Sequence, residues 1–411
     1  MKFKLTPLEK KWVLYDVANS AFTLLVATIM PIYFNHLASS AGISDVDYLA
    51  YWGYAASIST LVVGFLGPIL GTMSDHKGRK KIFFMFAALL GAIGCVLLGF
   101  MQSWLWFICL YIITKVAYQL SLVFYDAMLT DVTTEERMDQ VSSQGYAWGY
   151  IGSCIPFLVS LVLVLMYDKI GITMNTAMVI AFAIVALWWI LLTLPLFKAY
   201  KQIHYVEDED DSIKAVYKRL FNILNELKEN KKAFMFLIAF FFYIDGVYTI
   251  IDMATAYGSA LGFDSTSLLL ALLLTQVVAF PAAIYFGKLS TKHPTHKLLY
   301  VCIIAYTCIG LYAITLAEQY QFWILAFFVG LFQGAVQSLS RSYFAKLIPH
   351  EKSGEYFGIY DICGKGAAFL GTFLVSFVSQ ITNSMNLGVG AVVVMFGFGL
   401  YFFYRTNNLK A

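Results

Sequence analysis

The sequence is poor in charge. Only 13% of its 411 residues are Asp, Glu, Lys or Arg, against 60% hydrophobic, whereas a soluble domain carries about a quarter charged residues. Water is therefore not its main solvent. It lacks a polar stretch large enough for a separate soluble domain and any phosphate loop of the form G-x-x-x-x-G-K-[ST]. ATP hydrolysis is thereby excluded; no enzymatic activity and no cofactor are expected, and any work must draw on a gradient. The ~10-residue alternating segments of a membrane β-barrel are missing too. Six scattered cysteines, Cys95, Cys109, Cys154, Cys302, Cys308 and Cys363, lack the paired spacing of a disulfide framework or a metal site. They read as packing residues, and no metal is expected. A net charge of +3 is too small to argue for a nucleic-acid partner. Histidine is missing from mid-span positions: His36, His76, His204, His293, His296 and His350 fall in loops or near span ends and read as solvated.

What the chain does have is apolar runs of about twenty residues, each long enough to cross a ~30 Å hydrocarbon core as a helix. Approximate spans are 12–36, 48–74, 82–101, 104–130, 142–166, 173–197, 233–257, 265–288, 298–317, 321–347, 354–380 and 386–404. They predict an all-α membrane protein with twelve transmembrane helices. The first apolar run contains Asp16 and Asn19 and lacks a small-residue cleavage site, so it reads as a retained span and not a signal peptide. Lys and Arg gather in alternate loops, among them Lys77 to Lys81 after span two and Lys198 to Lys232 after span six, while the opposite loops offer little beyond Lys169. Cationic loops stay cytoplasmic, so both termini are expected inside. Trp12, Trp104, Trp106 and Trp323 fall near the expected interfaces.

The longest hydrophilic stretch lies mid-chain and divides it into an N-terminal six-helix bundle, 1–198, a cytoplasmic linker, 199–232, and a C-terminal six-helix bundle, 233–411. Within the linker, Ser212 can cap a helix in which Ile213, Val216, Tyr217, Leu220, Leu224 and Leu227 share one face. An amphipathic helix on the membrane surface fits this pattern. The halves also resemble each other. A shift of about 218 positions places Gln119 on Gln337, Tyr125 on Tyr343, Ala127 on Ala345 and Leu129 on Leu347. A nearly equal shift places Gly71-Thr-Met-Ser74 on Gly287-Lys-Leu-Ser290. Duplicated halves imply a central interface where transporters place their substrate.

Between spans two and three stands Gly71-Thr-Met-Ser-Asp75-His-Lys-Gly78-Arg79-Lys80-Lys81. It resembles the signature loop of the major facilitator superfamily, which implies two pseudo-symmetric six-helix bundles. Gly71 permits close helix approach, Gly78 a tight turn, and Asp75 can sit at the positive N-terminal end of span eleven, near Glu355, as part of a gate with Arg79. Finer strings, Tyr15-Asp16-Val-Ala-Asn19-Ser20-Ala21-Phe22, Gly145-Tyr-Ala-Trp-Gly149-Tyr150-Ile-Gly152, Asp245-Gly246-Val, Gln337-Ser-Leu-Ser340-Arg341-Ser342 and Glu355-Tyr-Phe-Gly358 with Gly364-Lys365, resemble the vacuole effluxer-like family within that superfamily. The resemblance implies export of amino acids from a storage compartment in fungal members. The chain has no long extensions, which looks more bacterial than fungal, so a bacterial inner membrane is expected.

Ionisable groups inside a bilayer are costly unless they face a cavity or a partner. Here they concentrate in span one (Asp16, Asn19), span four (Lys115, Gln119, Asp126), span seven (Asp245, Asp252), span ten (Gln333, Gln337, Arg341) and span eleven (Asp361, Lys365). Spans three, six, nine and twelve are almost wholly apolar. At about 1.5 Å per residue, Lys115, Asp245, Gln333 and Lys365 fall near midplane, with Gln119 and Gln337 beside them as candidate substrate ligands. Asp16, Asn19, Asp126, Arg341 and Asp361 fall in the inner third as candidate gate residues, and Asp252 in the outer third. A zwitterion would suit the midplane set, Lys115 or Lys365 meeting a carboxylate and Asp245 an ammonium group. Alternatively these three only pair with one another. Five acids against three bases leave a carboxylate to carry a proton, for which Asp245, Asp126 and Asp252 are candidates.

The expected function is secondary transport of a small organic solute, amino acids being the class the resemblance implies, by alternating access with H+ as coupling ion and a monomer as the working unit. Multidrug or toxic-metabolite efflux is the second reading. A nontransporting membrane sensor or a lipid scramblase is the reading from another class.

Overall fold

A computed structural model of the chain describes residues 3–43, 45–207, 225–382 and 384–408. The twelve spans, numbered in chain order, are one, Pro7–Ala27 continued by Ile29–Ser40; two, Asp45–Ser74; three, Arg79–Leu98; four, Trp104–Ala127 continued by Leu129–Val132; five, Glu135–Leu165; and six, Met174–Ala199. The second half repeats the count with seven, Lys231–Ala260; eight, Ser265–Leu289; nine, Thr295–Ala313; ten, Gln319–Ala345; eleven, Ser353–Thr382; and twelve, Met385–Gly390 continued by Val392–Asn408. Eleven of them are long and apolar enough to cross a membrane. The remaining one, span eleven, is a 30-residue helix of about 45 Å at the usual rise, packed between spans two and seven.

Local chemistry moves several ends away from their expected places. Span one begins earlier, at Pro7, because Thr6 and Glu9 form a reciprocal capping box. Span five begins at Glu135 behind Thr134, with two acidic residues, Glu135 and Glu136, at its positive end. The amphipathic linker helix expected from Ile213 onward lies mostly outside the described residues; of its apolar positions Leu227 is described, and it is buried. Trp12 and His76 also depart from expectation. Trp12 is fully buried and its indole N–H donates to Tyr125 O, so it is a core residue and not an interfacial anchor. His76 is buried and bridges to Val206.

The halves repeat in their contacts as well as in sequence. Tyr15 of span one bonds Ser121 of span four at 2.6 Å, and Tyr243 of span seven bonds Ser340 of span ten at 2.6 Å. Between the halves, span two packs on span eleven and span five on spans eight and ten. Glycine makes the approach possible. A Cβ on Gly71 would stand 2.4 Å from Gly354 O, and one on Gly287 would stand 2.6 Å from the Ser143 Cβ. Both crossings lie at the face of the bundle that carries the chain termini, the terminal face, where Arg137 of span five reaches Lys4 O and Tyr343 reaches Asn407. From Tyr200 the chain runs back as a strap over the loop after span two: Val206 N donates to Asp75 O, and Gln202 Nε2 to Ser74 O and Asp75 O.

Prediction: Gly71→Val forces spans two and eleven apart, since the displaced atom is backbone and cannot rotate away. The cost expected of such overpacking is about 1–3 kcal/mol, read as a lower melting temperature of the purified protein. Gly53→Val, on the same span where a Cβ meets nothing within 4 Å, leaves the melt unchanged.

Candidate functional site

Two polar layers close the terminal face. In the outer layer the Asp75 carboxylate accepts the backbone N–H groups of Gly354 at 2.8 Å and Glu355 at 2.9 Å, the free donors in the first turn of span eleven. Lys80 Nζ lies 3.2 Å from Asp75 and 2.7 Å from Ser353 Oγ, which it serves as donor. Burial pushes the Asp75 carboxyl above the ordinary carboxylate range, and the Lys80 charge and the two N–H groups oppose that rise. Lys80 is fully buried at this contact, and Arg79 opens span three directly after Gly78, which turns the chain at φ +75°. Asp131 joins the strap to the layer by accepting Tyr200 OH, Ile203 N and His204 N. A second ion pair, Lys346 to Asp139 at 2.7 Å with Thr295 Oγ1 donating to the same carboxylate at 2.6 Å, joins the start of span five to spans nine and ten.

The inner layer is built on Arg341 of span ten, 2% exposed. Its guanidinium reaches Asp126 at 3.0 Å and Asp16 at 3.2 Å, and donates to Ser142 Oγ at 2.9 Å and Ser142 O at 3.1 Å. It lies 4.6 Å from the Trp12 ring and 4.4 Å from the Tyr146 ring, cation–π distances. One residue of the second half is thus held by spans one, four and five of the first. Gly145 leaves the room, since a Cβ there would meet Asp16 Oδ2 at 2.2 Å. Asn19, expected in this gate, donates instead to Tyr15 O of its own helix.

Away from Arg341, polar side chains of both halves keep part of their surface. Thr23 is exposed and bonds the Tyr118 hydroxyl at 2.7 Å, and Tyr118 lies within electrostatic reach of Asp16, Asp126 and Asp361. Asp252 of span seven is exposed, and Lys115 of span four bears on it electrostatically. Lys115 is half-buried with its ammonium 5.6 Å from the Tyr111 ring. Asp361 and Tyr248 are half-buried and bear on each other.

The remaining expected ligands separate. Asp245 is 0% exposed and faces span eleven inside the second half, where Oδ1 accepts Gly371 N at 3.1 Å and Thr249 Oγ1 at 3.4 Å. Asp245, expected to meet a solute ammonium group beside Lys115, is thus engaged with span eleven, while the acid on which Lys115 bears is Asp252. The two acids differ by only about 20° in direction on span seven but by about 10 Å along its axis, so Asp245 meets the crossing with span eleven at Gly371 and Asp252 lies beyond it. The side chain of Lys365 falls outside the described residues. Gln337 accepts from Tyr150 OH at 3.5 Å across the halves. Gln333 bonds the same tyrosine and lines an apolar cleft with Ile250, Thr275 and Phe322 between spans seven, eight and ten. Gln119 is buried, its Oε1 without a hydrogen-bond partner. Sequence reading missed Lys80, Asp131 and Asp139 as parts of the closure; they sit at span ends, where charge reads as a solvated loop, and only the packing of one half on the other buries them.

The fold and the buried charge can be set beside known proteins. The family described as "Vacuole effluxer Atg22 like" matches residues 8–411. The chain belongs to this family. The MFS-type transporter YxiO of Bacillus subtilis (strain 168) is 41% identical over 405 residues, covering 97% of this chain and 95% of that protein. Autophagy-related protein 22 of Kluyveromyces lactis is 22% identical, covering 83% and 76%. Among solved structures, the major facilitator transporter FucP in the outward conformation matches with TM-score 0.72 at 14% identity, covering 98% of each chain. A bacterial homologue of the iron transporter ferroportin in an outward-facing state matches with TM-score 0.71 at 12% identity, covering 98% and 99%. The fold is that of the major facilitator superfamily, and this vacuole effluxer-like protein is a multi-pass membrane transporter and not an enzyme.

Prediction: Arg341→Ala leaves Asp16 and Asp126 buried without their cation, a change expected to cost about 3–5 kcal/mol and to lower the melting temperature sharply. Adding Asp16→Asn and Asp126→Asn to Arg341→Ala recovers most of the loss, because the uncompensated charge is then gone.

Proposed function

We propose that this transporter moves a small zwitterionic organic solute of the amino-acid class by alternating access, with a proton gradient as its drive. The observation that carries the reading is that Lys115 of the first half bears electrostatically on Asp252 of the second, the lysine half-buried and the acid exposed; we take the space between the halves around them to be the solute chamber, reached from the face opposite the closure. A solute carboxylate meets Lys115 and its ammonium meets Asp252, so that one small molecule ties the halves together. Tyr118, Tyr248 and the amide of Gln337 supply the wall. The two halves, 1–198 and 233–411, rock about this site, and the Asp75 and Arg341 layers, Gly71, Gly78, Arg79, Asp16 and Asp361 among them, form the gate that must open on the terminal face. Cationic loops and the positive-inside rule support a cytoplasmic position for that face; on this reading the closed terminal face belongs to an outward-open state, and the transporter works as a monomer in a bacterial inner membrane. Candidate proton carriers are Asp126, Asp245 and Asp252.

Support for a zwitterion over the adaptable apolar cavity of a multidrug pump comes from the chamber's fixed charges of both signs. A sensor or a scramblase needs no such opposed pair. The test is thermal stabilisation of the purified protein across a panel of amino acids, organic cations and organic anions, followed by uptake of any hit into sealed vesicles under an imposed pH gradient. Prediction: an amino acid stabilises the protein and accumulates in the vesicles, and Lys115→Gln or Asp252→Asn weakens apparent affinity by about tenfold or more, the scale of losing one charge-assisted contact. Stabilisation by organic cations alone, or lipid movement with no solute uptake, contradicts the reading.

A further inference from the structure

Asp245 is left over by the solute site. It is fully buried between spans seven and eleven, within the second half and away from the chamber. Its Oδ1 accepts from Gly371 N and Thr249 Oγ1, while its Oδ2 has no hydrogen-bond partner. The contact is shaped with little slack: a Cβ on Gly371 would stand 2.0 Å from Thr249 Oγ1 and 2.7 Å from Asp245 Oδ1. Among the described residues, the groups packed around it carry no charge. They are Thr249 on its own helix, Gly371 on span eleven, and from span twelve the Phe396 ring, which fills the space beside Gly246; Phe396 in turn stacks near the Tyr306 ring of span nine. The charged residues of span eleven, Glu355, Asp361 and Lys365, lie toward the terminal face by sixteen, ten and six positions from Gly371, on the order of 24, 15 and 9 Å of helix. An ionised carboxylate with an empty acceptor in such a place is costly, and a bound proton removes the charge.

The helix that Asp245 touches is the one whose first turn is held by Asp75 and Lys80. Gly371 and Gly354 both lie on span eleven, and Gly354 donates to Asp75. We infer that Asp245 is a proton-binding site inside the second half, separate from the solute site, and that span eleven relays its charge state to the terminal-face closure. With the proton bound, span eleven stays seated on spans two and seven and the face is closed, as in this structure. Loss of the proton makes the dry seat untenable; span eleven shifts to admit water or a donor to the carboxylate, and its first turn pulls away from Asp75. The step is a proton leaving one carboxyl oxygen for solvent, with no other bond made or broken.

The inference rests on the transport reading only in taking the terminal face to open and close, and its test uses no solute, so the two fail separately. Spin labels on Lys77→Cys and Glu351→Cys, both exposed positions flanking the closure, report its width by pulsed dipolar spectroscopy in lipid discs. Cys109, Cys308 and Cys363 are replaced by Ser to remove accessible thiols. His204 and His350, whose rings lie 5.2 Å apart beside the labels, are replaced by Gln so that no imidazole sits beside them. The expected result is a short distance at pH 5.5 and at least a doubling of the long-distance population at pH 8.5. Asp245→Asn holds the short distance at both values, whereas Asp168→Asn, on an exposed turn outside the solute site and the closure, keeps the pH response. Should Asp245→Asn not fold, Thr249→Val removes one donor to the anion and moves the transition to higher pH by about half a unit or more. A pH response that survives Asp245→Asn, a midpoint unmoved by Thr249→Val, or widening that follows sodium at fixed pH overturns the inference.

Discussion

The guanidinium of Arg341 is the interaction on which the closed terminal face depends. It inserts a charge from the second half among three spans of the first, one, four and five. Two carboxylates, the Ser142 hydroxyl and carbonyl, and two aromatic faces leave no part of the ion unsolvated. A planar fork matches this arrangement and an ammonium would not. The same completeness that makes the contact tolerable in a low-dielectric interior makes it reversible only as a unit. Either all its partners release the arginine to water, or none do, which is the behaviour expected of a gate with two discrete positions.

Around that point the helices are arranged for contact without side chains. Glycines at Gly71, Gly354 and Gly358 let spans two and eleven meet backbone to backbone, and Gly145 leaves the volume that Asp16 and Arg341 occupy. Such surfaces gain packing and lose little on parting, because few side-chain rotamers are fixed by them. Specificity for the closed state then rests on the polar layers. Asp75 uses the free N–H groups at the start of span eleven as an anion seat, and the strap from Tyr200 to Val206 fastens the connection between the halves to the same loop.

Much of this was legible from the residues. Apolar run length gave the spans, and the confinement of charge to spans one, four, seven, ten and eleven marked the faces that meet between the halves. Arg341, Asp16 and Asp126 could be read as a gate because each is an ion that lipid will not accept. Legibility failed where the neighbour met at a given depth decided a residue's partner. Asp245 and Asp252 lie on nearly the same side of one helix, and midplane depth favoured Asp245 for the chamber; the close crossing with span eleven at Gly371, which the sequence does not announce, occupies it instead. It failed again at span ends. Lys80, Asp131 and Asp139 sit where a loop is expected, and their burial comes from the meeting of two halves far apart in the chain. Trp12 was misplaced for a related reason: an indole near a membrane surface is ordinarily an anchor, yet here it is the floor under Arg341.

The central claim is that the chamber is reached from one face at a time, with the Arg341 layer as the barrier. Single thiols at Thr23, on the chamber side, and at Ala345, buried one helical turn past Arg341 at the terminal end of span ten, can be challenged with a membrane-impermeant reagent in oriented vesicles, in a background with the accessible cysteines replaced. The account predicts that Thr23→Cys reacts only from the face opposite the termini and Ala345→Cys only from the terminal face, and that conditions raising one reactivity lower the other. A Thr23→Cys thiol that reacts equally from both faces, or rises together with Ala345→Cys, would contradict it.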